Sequence, residues 1–156
     1  MYARILIPLD GSEVAEAILP FVEKIAWPLD AEIVLLQVVT PLSAAEMLAS
    51  AGVVAPDTLL LRQLEARQYL AKVEQRLTAK GLRVRSGLRS GVPAAEIVSA
   101  ATASRADLIA MTTHGRSGLG RVLFGSVAEA VLRTAPGPVL MIRMPAIVDA
   151  GTHQTR

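Results

Sequence analysis

A glycine-rich loop carries the residues of this sequence that are best able to bind a ligand. An apolar run at 108–111 leads into residues 115–126, which contain several glycines and two arginines and end at Gly125-Ser126. Glycine lets backbone N–H groups approach a ligand closely, and a helix N-terminus presents unpaired donors with a partial positive charge. Because a helical pattern begins just after Gly125-Ser126, the loop predicts a cradle for phosphate.

A carboxylate follows the first apolar segment, in the turn Asp10-Gly11-Ser12. Ligands of open α/β sheets bind beyond the carboxyl ends of the strands, where the strand order reverses. If the first strand is central, Asp10 faces the 115–126 loop across that crevice. A carboxylate suits an exocyclic amine or a ribose hydroxyl, so the pair favours an adenine nucleotide. Two simpler interpretations stay open: Asp10 only braces its turn, and Gly125 only allows tight packing of a helix on the sheet.

The elements that must position these residues alternate between strand and helix. Apolar segments predict five strands, at residues 4–9, 33–39, 82–88, 107–112 and 139–143. Helical spacing predicts a helix that Ser12 caps and Trp27-Pro28 stops, and a second from Asp57 to a C-terminal Gly81. Two more helices open at Pro93 and near Val127.

This alternation predicts the fold class. We expect an α/β protein with a three-layer, doubly wound, five-stranded parallel sheet of Rossmann-like order 3-2-1-4-5. The third strand alternates apolar residues with Arg83 and Arg85, which indicates an edge or a wet side. We expect one domain over residues 1–144 and a flexible tail over 145–156.

Composition excludes several classes of function. Aromatic residues make up 3% of the 156 residues and the net charge is only +2, so no aromatic-lined basic strip can bind nucleic acid. The chain has no cysteine, which excludes disulfides and thiolate metal sites. No apolar run reaches the roughly 18 residues of a membrane span, and no signal-peptide layout precedes the first strand. We therefore expect a cytoplasmic protein with no membrane partner and no protein-built metal site.

Two familiar nucleotide motifs are missing. No segment matches the Walker pattern, and the turn after the first strand reads Asp10-Gly11-Ser12-Glu13 instead of a dinucleotide fingerprint. Other motifs do occur in order along the chain: 8–12 (PLDGS), 107–111 (DLIAM), 113–118 (THGRSG), 125–129 (GSVAE) and 138–140 (PVL). Together they resemble the universal stress protein family over about residues 1–143.

The resemblance implies a role for individual residues. The nucleotide-binding branch of the family has the pattern Gly-x2-Gly-x9-Gly-Ser/Thr, which Gly115 and Gly125-Ser126 match while Thr112 replaces the first glycine. That replacement puts a Cβ, and a hydroxyl that could act as a donor, where the pattern has neither. The implied ligand-binding positions are Pro8, Asp10, Val38, Met111, Thr112, Gly115, Gly125, Ser126 and Val127. Pro8, Val38 and Met111 are expected at the base, Asp10 at the adenine or ribose, and Gly115, Gly125, Ser126 and Val127 at the phosphates.

The resemblance also implies a function and a partner. We expect an ATP-binding sensor or regulator of the stress response, with Mg²⁺ or Mn²⁺ arriving with the phosphates and AMP, ADP or cyclic AMP as alternative ligands. We expect no catalytic residues and at most slow hydrolysis. The alternatives are a dimeric interaction protein that binds no nucleotide and a slow ATPase. A homodimer is expected through the last strand, residues 139–143, with Ile142 and Met144 at the interface. We expect the apolar 40–56 segment to be either a flap or a partner surface.

Overall fold

Five parallel strands form the centre of the protein in the order β3-β2-β1-β4-β5. The computed structural model describes residues 2–41, 57–114 and 125–144. The strands are β1 (Arg4–Pro8), β2 (Glu32–Val39), β3 (Val84–Ser90), β4 (Leu108–His114) and β5 (Val139–Met144). The helices are α1 (Glu13–Glu16), α2 (Leu19–Leu29), α3 (Asp57–Thr78), α4 (Pro93–Ser104) and α5 (Ser126–Thr134). The predicted fold class and strand order are confirmed.

The sheet is covered on both faces, which gives three layers. On one face Ile5, Ile7 and Leu35 pack against α2 and α3, whose buried residues include Val22 and Val73. On the other face Leu6, Leu36 and Met111 pack against Ile97 of α4 and Val131 of α5. Alternate residues of each central strand therefore enter opposite cores, which explains why the strands read as continuous apolar runs.

The first predicted helix is divided in two, and the prediction that Trp27-Pro28 stops it is wrong. α1 ends at Glu16, α2 begins at Leu19, and Pro28 lies within the last turn of α2. Pro20 explains the break, because a proline has no N–H for the carbonyl of Glu16 and its ring clashes with that carbonyl. At the start of α2 the same proline costs nothing, because the first N–H groups of a helix have no internal partner.

The two edges of the sheet are the strands that the sequence pattern placed there. β3 pairs only with β2 among the described strands, and β5 only with β4. The third strand begins and ends two residues later than predicted, and the fourth extends two residues further, to His114. Neither shift moves the crossover between β1 and β4. The predicted tail at 145–156 and residues 42–56 lie outside the described residues.

Candidate functional site

A cavity of about 360 Å³ opens at the carboxyl ends of β1 and β4, where the strand order reverses. Its size lies within the range of small-molecule sites, toward the lower end. Helices α1, α4 and α5 also contribute to the wall. The lining residues that the structure describes are Pro8, Leu9, Asp10, Ala15, Val38, Thr40, Pro93, Ile97, Met111, Thr112, Thr113, Gly125, Ser126, Val127 and Ala128.

The cavity gathers every predicted ligand-binding residue that the structure describes. Asp10 and Ser126 border the same space although they are far apart in sequence. Gly115 lies outside the described residues, so its predicted role at the phosphates stays a prediction; the two arginines of the loop, Arg116 and Arg121, lie outside them as well. The structure adds lining residues that the sequence analysis did not single out, chiefly Thr40 and Thr113 with the apolar Ile97.

One oxygen of Asp10 braces its own turn. The backbone N–H and the hydroxyl of Ser12 both donate to Asp10 Oδ1, at 2.9 and 2.6 Å. Ser12 Oγ in turn accepts from the N–H of Ala15 at 3.1 Å and so caps α1. Gly11 between them has φ +86°, a conformation that other residues adopt only with strain. The turn thus holds the carboxylate in one orientation at the cavity, and no described residue bonds to Oδ2.

Thr112 joins β4 to α1 across the floor of the site. Its hydroxyl donates to the backbone carbonyl of Val14 at 2.8 Å. That carbonyl lies where α1 breaks and has only a long contact, 3.3 Å, from the N–H of Ala17. The hydroxyl proton is therefore used within the protein. It does not act as a hydrogen-bond donor to a ligand at this position. Its oxygen keeps lone pairs that can still accept.

The N-terminus of α5 lies at the cavity, and none of the described side chains caps it. Gly125 is the N-cap residue and has no side chain to act as a cap, no side chain of the described residues bonds to the first turn, and Gly125 to Ala128 line the cavity. A Cβ built on Gly125 meets no described atom within 4 Å, and its φ of −56° suits any residue. Among the described residues, neither packing nor backbone conformation requires a glycine here, so the interpretation that Gly125 serves helix–sheet packing loses its support.

The electrostatics of the cavity are simple. Asp10 is the only ionisable side chain among the lining residues that the structure describes. No group of three or more His, Asp or Glu that could hold a metal occurs within the described ranges. Within the described lining, positive potential comes from the first N–H groups of α5, since a helix N-terminus carries roughly half a unit charge. This arrangement pairs an apolar chamber with one carboxylate and one anion-favouring helix end.

Comparison with known proteins shows the family to which the chain belongs. The sequence model of the universal stress protein family matches residues 1–143. The chain is 38% identical to universal stress protein MJ0531 of Methanocaldococcus jannaschii, over 93% of this chain and 84% of that protein. The solved structure of MJ0577 from the same organism superposes with a TM-score of 0.74 at 30% identity, over 94% of this chain and 99% of that one.

A further solved structure of similar fold contains a bound nucleotide. A universal stress protein in complex with cAMP superposes with a TM-score of 0.68 at 21% identity, over 92% of this chain and 98% of that one. At that identity the likeness shows a shared fold. Within the described residues, no helix is both long and apolar enough to cross a membrane. The family match over nearly the whole chain, together with the confirmed strand order, shows that the protein belongs to the universal stress protein family.

Proposed function

We propose that the cavity binds an adenine nucleotide, ATP in the first place, and that the protein acts as a sensor or regulator in the stress response. The observation that carries the proposal is that Asp10 and the N-terminus of α5, whose N-cap is Gly125, border a single cavity. One supplies an acceptor for a ribose hydroxyl or an exocyclic amine, and the other supplies donors for phosphate. The cAMP complex of a relative supports the choice of adenine.

The apolar part of the cavity suits the base. Val38, Met111 and Ile97 line it, and Met111 is only 8% exposed. Pro8 and Leu9 bring the end of β1 to the same chamber. In this pose the base stacks among these side chains, Asp10 Oδ2 faces the ribose or the base, and the phosphates lie at Gly125, Ser126 and Val127. Gly115 is proposed at the phosphates as well.

Thr112 is compatible with this pose. Because its hydroxyl is tied to Val14, its side chain is held against α1.

A divalent ion would enter with the phosphates, since the described lining offers it no ligand set. The absence of a general base at the phosphate end of the described cavity favours binding over turnover.

Titration with a nucleotide series tests the proposal. Nucleotide-stripped protein is titrated with ATP, AMP, cAMP and, as a control for the base, GTP, each with Mg²⁺. We expect ATP to bind in the micromolar range, about −8 kcal/mol, and GTP at least about tenfold more weakly. Equal affinity for GTP would overturn the adenine assignment. Steady phosphate release that depends on Asp10 and Ser126 would show an enzyme instead of a sensor.

A further inference from the structure

A second cavity lies on the other face of the sheet, between the end of β2 and α3. Its volume is about 500 Å³. Gln37 and Thr40 contribute from β2 and its end, while Arg62, Glu65 and Tyr69 contribute from α3. Gln37 interrupts the apolar run of β2 on the face where Ile33 and Leu35 pack. The pocket is thus a polar gap at the edge of an otherwise apolar core.

The spacing of residues on α3 explains why the gap exists. Positions 62, 65, 66 and 69 fall on one side of a helix, because they are separated by three or four residues. Further along α3, Leu70, Val73 and Leu77 fill the space against the sheet and are 1–2% exposed. One turn earlier the buried residue is the small Ala66, which lines the cavity together with Gln37. Space therefore remains between Ala66 and the side chain of Gln37.

Two buried polar atoms at this cavity have no hydrogen-bond partner among the described residues. They are Gln37 Oε1 and the hydroxyl of Tyr69. Burial and the nearby carboxylate of Glu16 raise the pKa of Tyr69, and that carboxylate, which also accepts from Arg76, keeps lone pairs within reach of the Tyr69 hydroxyl. Leaving such an atom unpaired costs about 1–3 kcal/mol, so a protein rarely keeps two in one place without a partner.

The rim of the cavity carries one charge of each sign. Arg62 and Glu65 are both exposed, and neither forms an ion pair with another described residue. A guanidinium favours a carboxylate, and a carboxylate favours an ammonium group. Inside, Gln37 Oε1 can only accept, whereas the Tyr69 hydroxyl can donate or accept. The donors and acceptors are those that complement a small zwitterion with a polar side chain.

We propose that this second cavity is a binding site for a small zwitterion of the amino-acid type. Its carboxylate faces Arg62, its ammonium group faces Glu65, and its polar group reaches Gln37 and Tyr69. The site is distinct from the nucleotide cavity, although Val38 and Thr40 border both. The proposal does not depend on nucleotide binding.

Saturation-transfer NMR on the full-length protein tests the site, with L-serine and glycerol as separate probes. L-Serine carries both charges and a hydroxyl, and glycerol carries hydroxyls alone. We expect L-serine to bind with a millimolar dissociation constant and glycerol to give no saturation transfer. Gln37→Leu and Tyr69→Phe each remove one polar group with little change in shape, and each should weaken L-serine binding about fivefold or more.

Two controls establish whether L-serine binds at this cavity. Arg67→Ala alters an exposed residue of α3 that does not line the cavity, and it should bind L-serine as the wild type does. Millimolar L-serine should raise the melting temperature of the wild type more than that of Gln37→Leu, and the same unfolding curves report whether each variant folds. No transfer from L-serine would mean that water alone satisfies these atoms, and the proposal would be wrong. Equal transfer in the wild type and Gln37→Leu, or equal binding of glycerol, would overturn it too.

Discussion

Substitution of Thr112 probes the connection between β4 and α1 and, at the same time, the pose of the ligand. In Thr112→Val the methyl group replaces the hydroxyl and the hydrogen bond to Val14, 2.8 Å in the wild type, is lost. We expect a loss of about 1 kcal/mol in the free energy of unfolding, because the Val14 carbonyl keeps its long contact with Ala17 and is not left fully unpaired. For a chain of this length that corresponds to about 3 °C in melting temperature.

Two companion variants divide the contribution of the side chain. Thr112→Ser keeps the hydroxyl and loses one methyl group, about 0.8 kcal/mol if that group is fully buried. Thr112→Gly loses the hydrogen bond and the methyl group and places glycine in a strand, so we expect about 2.5 kcal/mol, or about 8 °C. Thermal unfolding followed by circular dichroism measures all three variants. The order Ser, Val, Gly of increasing loss is expected.

The same variants are titrated with ATP. The wild-type Thr112 side chain is held against α1 and does not obstruct the nucleotide in the proposed pose. We therefore expect the dissociation constants of Thr112→Val and Thr112→Gly for ATP to stay within about threefold of the wild-type value. A gain of tenfold or more in Thr112→Gly would refute the reasoning, since it would show that the side chain obstructs the nucleotide. An unchanged melting temperature in Thr112→Val would show that the bond to Val14 contributes nothing.

Three further predictions concern other parts of the molecule. Asp10→Ala should weaken ATP binding about tenfold and lower the free energy of unfolding by about 1 kcal/mol, whereas Asp10→Asn should keep the hydrogen bonds from Ser12 and weaken mainly ATP binding. Equal ATP affinity in both variants and the wild type would exclude Asp10 from the site. Burial opposes ionisation of Glu32, but the hydrogen bond from Arg4 and the charges of Arg85 and Arg4 outweigh it and hold its pKa below the ordinary 4.5. The stabilisation by ionised Glu32 is therefore complete at neutral pH and is lost as the pH falls through its folded-state pKa, so the difference in unfolding free energy between the wild type and Glu32→Gln should shrink in acid; a difference that grows there would contradict the assignment. Ile142→Asp should dissociate the homodimer that we predict through β5, as measured by sedimentation. Since Ile142 also packs against the protein's own core, circular dichroism must show that the variant is folded, and a folded dimer would contradict the prediction.

The sequence was sufficient for the features that follow from local patterns. Continuous apolar runs predicted buried parallel strands, and the alternation of Arg83 and Arg85 with apolar residues indicated that the third strand lies at an edge or has a wet side. The turn at Asp10 and the glycine before α5 were predicted at one crevice because strand order fixes which loops are neighbours. Pro20 is a local signal for the division between α1 and α2, although the apolar spacing around it continues as in one helix.

Other features depend on contacts that no local pattern carries. The partner of the Thr112 hydroxyl is Val14, 98 positions away in sequence, and its carbonyl lies where α1 breaks. The polar gap at Gln37 depends on the angle and register at which α3 packs, which decides that Ala66 faces it. Tyr69 by itself looks like an ordinary half-buried residue of an amphipathic helix. Such features need the assembled fold.

The central claim, that ATP binds in the cavity at the N-terminus of α5, is tested most directly by a substitution at Gly125. The wild type, Gly125→Val and the control Gly87→Val are titrated with ATP and Mg²⁺ by calorimetry. A Cβ at Gly125 and one at Gly87 both meet no described atom within 4 Å, but only Gly125 lines the cavity. We predict micromolar binding for the wild type and Gly87→Val, and binding at least about tenfold weaker for Gly125→Val, a difference of about 1.4 kcal/mol or more. No heat from the wild type at millimolar ATP, or equal affinity in all three proteins, would contradict the account.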